Sequence, residues 1–196
     1  MKKTSFLLFV LSLFASALSL AGTPILSRPI PQNAAPLGME IDFAKELDVL
    51  HQYPGLGLVR VAPPDASTLC DGDLYVITHK EALGRYGIDN VSSALLCFNP
   101  QRILTLVEFI MPSDINGMFK KLKNKYPDIV SNKIDSFMNS GSAVLRKGNS
   151  SVIITENAQD PFSMILLYSD IGNMIKKGKS IEAKEKAHSA NEMNNL

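Results

Sequence analysis

Two apolar runs, 92–98 and 102–111, flank the turn residues Asn99, Pro100 and Gln101, and several positions in each are apolar on both faces. Runs of that kind predict a hairpin of central strands, covered on two sides. Leu56 to Val61 alternates enough for an earlier strand, stopped by Pro63 and Pro64. After the Asp71-Gly72 turn signal, L-Y-V-I-T (74–78) predicts a further strand. Three more follow as S-A-V-L-R (142–146), S-V-I-I-T-E (151–156) and F-S-M-I-L-L-Y (162–168). Lys147-Gly148-Asn149 and the stretch from Asn157 to Pro161 supply the turns between them.

The period changes once in strength. Ile115, Met118, Phe119, Leu122 and Tyr126 fall on one stripe at helical spacing, predicting a helix over 114–126 that starts at Ser113 and stops at Pro127. Lys120, Lys121, Lys123 and Lys125 lie off that stripe. A shorter helix is expected after Asp42 as cap, with Phe43, Leu47 and Leu50 on one side and Tyr53-Pro54-Gly55 as its end. Thr78 and Glu81 fit a capping box for at most two turns, interrupted by Gly84 and Gly87. No internal repeat is visible. The sum is an α+β domain: a largely antiparallel sheet with the helix 114–126 packed on one face.

The two ends of the chain differ from this body. Two lysines precede an apolar run of 15 residues, Phe6 to Leu20, with small residues at Ser19, Ala21 and Gly22. That is the layout of a signal peptide cleaved after Ala21, and the run is short of the ~20 residues a spanning helix needs. No cysteine follows the cleavage region, which closes the lipoprotein route. Residues 22–36 hold four prolines and are expected as an extended leader outside the core. Residues 37–170 form one domain. Residues 171–196 have helix formers but sparse apolar residues, and are expected as a charged, partly helical or disordered tail. Losing 1–21 removes two lysines and no acid, taking the formal charge from +1 to −1. That balance gives no reason to expect nucleic acid as a partner. No later segment is long and apolar enough to span a membrane.

Export gives the cysteines a meaning. Cys70 and Cys97 are the whole supply, and an oxidising compartment favours joining them. Cys97 also reads as an apolar strand residue beside Leu95, whereas Cys70 lies in the polar loop S-T-L-C-D-G-D. No C-x-x-C pair is present, so thiol–disulfide exchange is not expected.

Several segments together resemble a poorly characterised group of small secreted or periplasmic bacterial α+β domains. They are P-L-G-M-E-I (36–41), L-L-C-F (95–98), I-L-T-L-V (103–107), L-K-N-K-Y (122–126), G-S-A-V-L (141–145) and F-S-M-I-L-L-Y (162–168). The resemblance spans residues 36–169. It implies a fold and an exported location, and carries no catalytic residue.

Reactive constellations are scarce. His51, His79 and His188 are far apart and lack partners at metal-ligand spacing. Asp71-Gly72-Asp73 lacks the glutamate of a calcium loop, since Ala82 stands at the twelfth position from Asp71. Ser140-Gly141-Ser142 is not a nucleophile elbow, and no phosphate-cradling glycine motif occurs. No metal or cofactor is expected. The expectation is therefore a periplasmic or secreted, non-catalytic module that binds another envelope protein. A free sheet edge at 56–61 or 162–168 could add a partner's strand, and the lysines at 120, 121, 123 and 125 could meet an anionic partner. One alternative is an envelope-polymer hydrolase using Asp65, Asp71, Asp73 and Glu81. A second is a structural protein tethered by an uncleaved N-terminus.

Overall fold

A computed structural model describes residues 25–62 and 70–170. The predicted signal peptide, Asp65, and the tail with His188 lie outside them.

Eight antiparallel strands make one sheet: β1 (Leu58–Val61), β2 (Asp73–Ile77), β3 (Ser93–Phe98), β4 (Leu104–Pro112), β5 (Asp128–Asp135), β6 (Ser140–Lys147), β7 (Ser150–Asn157) and β8 (Asp160–Asp170). Their spatial order is β1-β2-β3-β4-β8-β7-β6-β5. Two α-helices among the described residues complete the frame, α1 (Glu46–Gln52) and α2 (Ile115–Lys125). The antiparallel α+β fold read from the sequence is the fold of the chain. Each half is a helix followed by a four-strand meander, and the halves meet where β4 pairs with β8. No repeat in the sequence announces this arrangement.

Alternation sorts the sheet's two faces. The first carries the main core: Leu96 and Phe98, Val107 and Phe109, Met164, Leu166 and Tyr168, and Val152, Ile154 and Leu145. On it pack α1 through Val49, and α2 through Ile115 and Leu122, with Met118 and Phe119 partly buried. Tyr126 closes the α2 stripe at full burial. Asp114, not Ser113, caps α2, its side chain accepting from the Gly117 N–H. The second face is smaller and more open. Cys70, Leu74, Cys97, Leu106 and Leu167 are buried there, while Val61, Leu95, Ile153 and Ile165 are only partly covered.

Several local expectations are corrected. The first helix begins at Glu46, and Asp42 precedes it in a left-handed conformation (φ 63°). Its inward residues are Glu46 and Val49, while Leu47 is exposed. Glu46 is tolerated inside because the Tyr75 hydroxyl donates to its Oε1 at 2.5 Å and Arg102 Nε lies 3.7 Å from its Oε2. Thr78 does not cap a helix. Its hydroxyl donates to the Gly57 carbonyl, and residues Lys80–Tyr86 form a 3-10 helix without a side-chain cap. The strand at 162–168 is no free edge: β8 lies between β4 and β7. The edges are β1, as expected, and β5, a strand the sequence pattern does not announce.

The proline-rich leader is also part of the body. Leu26, Ala34 and Pro36 are buried. Glu40, fully buried, is the knot that holds the segment. Its carboxylate accepts from the backbone N–H groups of Arg28, Gln32 and Asn33, and pairs with the Arg28 guanidinium at 3.1 Å. Burial opposes its charge, but those donors outweigh burial and hold the carboxyl below its ordinary value. Asn33 then accepts from the Asn149 N–H, and the Ala34 N–H donates to Ser150, so the leader is stitched to the β6–β7 turn.

Candidate functional site

The loop carboxylates are spread over two ends of β2. Asp71 is exposed, and Asp73 is occupied by Arg60. Glu81 is exposed beyond the far end of β2, about 13 Å of strand away from Asp73. Retaining or inverting sugar chemistry needs two carboxyls ~5–9.5 Å apart. His51, in α1, and His79, after β2, are both exposed. The His79 Nδ1 lies 3.3 Å from the Gly55 carbonyl. No cluster of three His, Cys, Asp or Glu side chains occurs among the described residues.

The two cysteines are joined. Cys70 and Cys97 form a disulfide with a sequence separation of 27, pinning the chain before β2 onto the second face of β3. The four lysines of α2 are exposed. Lys125 lies over the Tyr126 ring at 5.5 Å, and burial and the nearby Lys147 lower its pKa. These lysines do not converge with another functional group. They are the solvated face that a helix packed on a sheet requires.

Three exposed apolar side chains lie at one end of the sheet. Phe137 and Met138 occupy the β5–β6 turn, and Phe162 lies where β8 begins. They are 93%, 66% and 83% exposed. Both segments are tied to residues 113–116, where β4 passes into α2. The Ser113 N–H donates to the Phe162 carbonyl. Asn116 donates through its side-chain amide to the Ser136 carbonyl and through its backbone N–H to Asn139 Oδ1. The turns are locally built as well. Asp135 Oδ1 accepts from the N–H groups of Phe137 and Met138, and Asp160 Oδ1 from that of Phe162. Side-chain-to-backbone bonds of this kind hold a turn without help from burial. Gly141 follows at φ 102°, where a Cβ would collide with the Lys133 carbonyl.

Carboxylates surround this apolar tip. Asp114, Asp135, Glu156 and Asp160 each accept from a backbone N–H. None forms an ion pair among the described residues. The tip therefore presents large apolar side chains within an acidic rim. Sequence reading passed over it, although a signal was there: Phe137-Met138 sits inside the turn-forming D-S-F-M-N-S-G (135–141), where polar residues are the rule.

No protein family, no curated protein and no solved structure matches this chain. The resemblance of residues 36–169 to secreted α+β domains draws no support from those comparisons.

Proposed function

We propose that this chain is an exported, non-catalytic binding module of the cell envelope. It docks through the tip formed by Phe137, Met138 and Phe162 onto an apolar, basic segment of another envelope protein. The observation that carries this reading is the exposure of two phenylalanines and a methionine on turns fixed by their own hydrogen bonds. Apolar groups kept in water on a preformed frame lose little freedom on docking, which is where aromatic anchors gain their affinity. The acidic rim selects a cationic partner and speeds encounter with it. Export is supported by the pattern of residues 1–21 and by the Cys70–Cys97 bond, since disulfides persist in oxidising compartments. No helix among the described residues is long and apolar enough to cross a membrane.

The test is position-resolved crosslinking in the native cell. A photoreactive residue placed at Phe137, and separately at Phe162, is expected to capture one and the same protein. The same residue placed at Lys121, on the outer face of α2, is expected to capture nothing above background. Different products at the two phenylalanine positions, or none at either, would remove the reading.

A further inference from the structure

Among the described residues, one sulfur atom is both reduced and open to water. Cys70 and Cys97 are joined to each other, and the chain has no other cysteine. No thiol is therefore left to compete for an oxidant, and methionine is next on the ladder of oxidisable side chains. Met39, Met111 and Met164 are buried, and Met118 is half-buried against the core. Met138 is 66% exposed. It sits in the β5–β6 turn directly after Phe137, and Asp135 Oδ1 accepts from the N–H groups of both. The next residue, Asn139, accepts from the Asn116 N–H and so holds the turn to the start of α2. The thioether is thus presented to solvent by a fixed backbone, and its access does not depend on unfolding.

We propose that Met138 is an oxidation site that switches docking at the tip. The switch rests on the reading of the tip as a docking surface and supplies its control. The oxidant is a hydroperoxide such as hydrogen peroxide, which is uncharged and so is not repelled by the carboxylates of the rim. The sulfur lone pair attacks one peroxide oxygen, the O–O bond breaks, and the other oxygen departs as water, taking the proton of the oxygen that stays. Sulfur loses two electrons and the peroxide gains them. The product, methionine sulfoxide, is polar and chiral where the thioether was apolar and adaptable. Docking would bury that oxygen against an apolar partner surface, away from the water that solvates it, which opposes binding. Phe137 and Phe162 remain as they were, and the exposed position of Met138 leaves the core out of the change. A methionine sulfoxide reductase reverses the step: two thiols give up the electrons and become a disulfide, and the sulfoxide oxygen leaves as water.

The experiment treats the full-length chain with graded hydrogen peroxide and reads it in four ways: peptide mapping by mass spectrometry, thermal unfolding, retention on a hydrophobic matrix, and capture of the partner by a photoreactive residue at Phe162. Met138 is expected to gain one oxygen before Met39, Met111, Met118 or Met164 does, with the melting curve unchanged at that dose. Retention should fall, and capture should fall at least about tenfold. Met138→Leu, compared with its own untreated form, should keep both its retention and its capture through the same dose. Oxidation of a buried methionine first would overturn the proposal, and so would an equal loss of capture in the leucine variant. A chain that captures its partner as well after oxidation of Met138 as before removes the switch alone. An untreated chain that captures nothing removes the docking reading itself, and the switch falls with it.

Discussion

Single residues decide how the N-terminal segment joins the body, and Glu40 decides most. Its four hydrogen bonds, one of them the ion pair with Arg28, hold residues 28–33 against Glu40, and every one is lost or weakened when the carboxylate is neutral. Because its folded pKa lies below 4.5, its contribution to stability is present above pH 4.5 and disappears as the pH falls through the folded value. Glu40→Gln is expected to cost about 2–3 kcal/mol at neutral pH, since a neutral amide cannot serve all of these donors. The gap between variant and wild type should narrow as the pH drops below 4.5, which denaturant titrations at several pH values would read. A gap that stays constant with pH would mean the cost is steric. Nothing local in P-L-G-M-E-I marks Glu40 as buried. Its donors come from residues 28–33, whose prolines read as spare leader, and its burial depends on the turn between β6 and β7 more than a hundred residues away.

At the level of elements, periodicity carried most of the information. Strands β2, β3, β4, β6, β7 and β8 and helix α2 were all legible, because burial imposes periods of two and 3.6 on sequence. Strand β5 was not. Its residues D-I-V-S-N-K-I-D are exposed at six of eight positions, so no face of it is under pressure to be apolar. It also has a bulge at Ile129/Ser131, together with Lys133, the devices that blunt a free edge. The seat of β8 is hidden for a different reason: its partners on β4 stand about 50–60 residues away, and no local pattern encodes them. Where the stripe was read correctly, its energetics can be tested. Leu122→Ala in α2 is expected to cost about 2–5 kcal/mol, as for other buried leucines, whereas Lys121→Ala should lie within about 0.5 kcal/mol of wild type. Equal effects would place the packed face of α2 elsewhere. The disulfide belongs to this scale too. Cys70→Ser should lower stability by about 3–4 kcal/mol under oxidising conditions. Under reduction the variant and the wild type should unfold together, and a difference that persists would assign Cys70 a packing role.

The whole molecule is two helix-plus-meander halves sharing a continuous sheet, held at the β4–β8 seam and clasped by the leader on one face. The exported location proposed for it makes a direct prediction: mass spectrometry of the protein from its native compartment should find a chain beginning at Gly22. A chain retaining Met1 to Ala21 would point instead to a tethered protein, and one retained in the cytosol would remove the reason for the cysteines to be joined. The tip lies at the end of the β4–β8 seam and away from the clasp, and its side chains point into water, which lets binding be tested apart from folding. The most direct measurement pairs thermal unfolding with partner recovery for Phe137→Ser combined with Phe162→Ser. Both side chains are exposed, so the melting curve should stay within about 0.5 kcal/mol of wild type per site while recovery of the partner is lost. A double variant that unfolds like a core mutant, or one that recovers the partner as well as wild type does, would contradict the account.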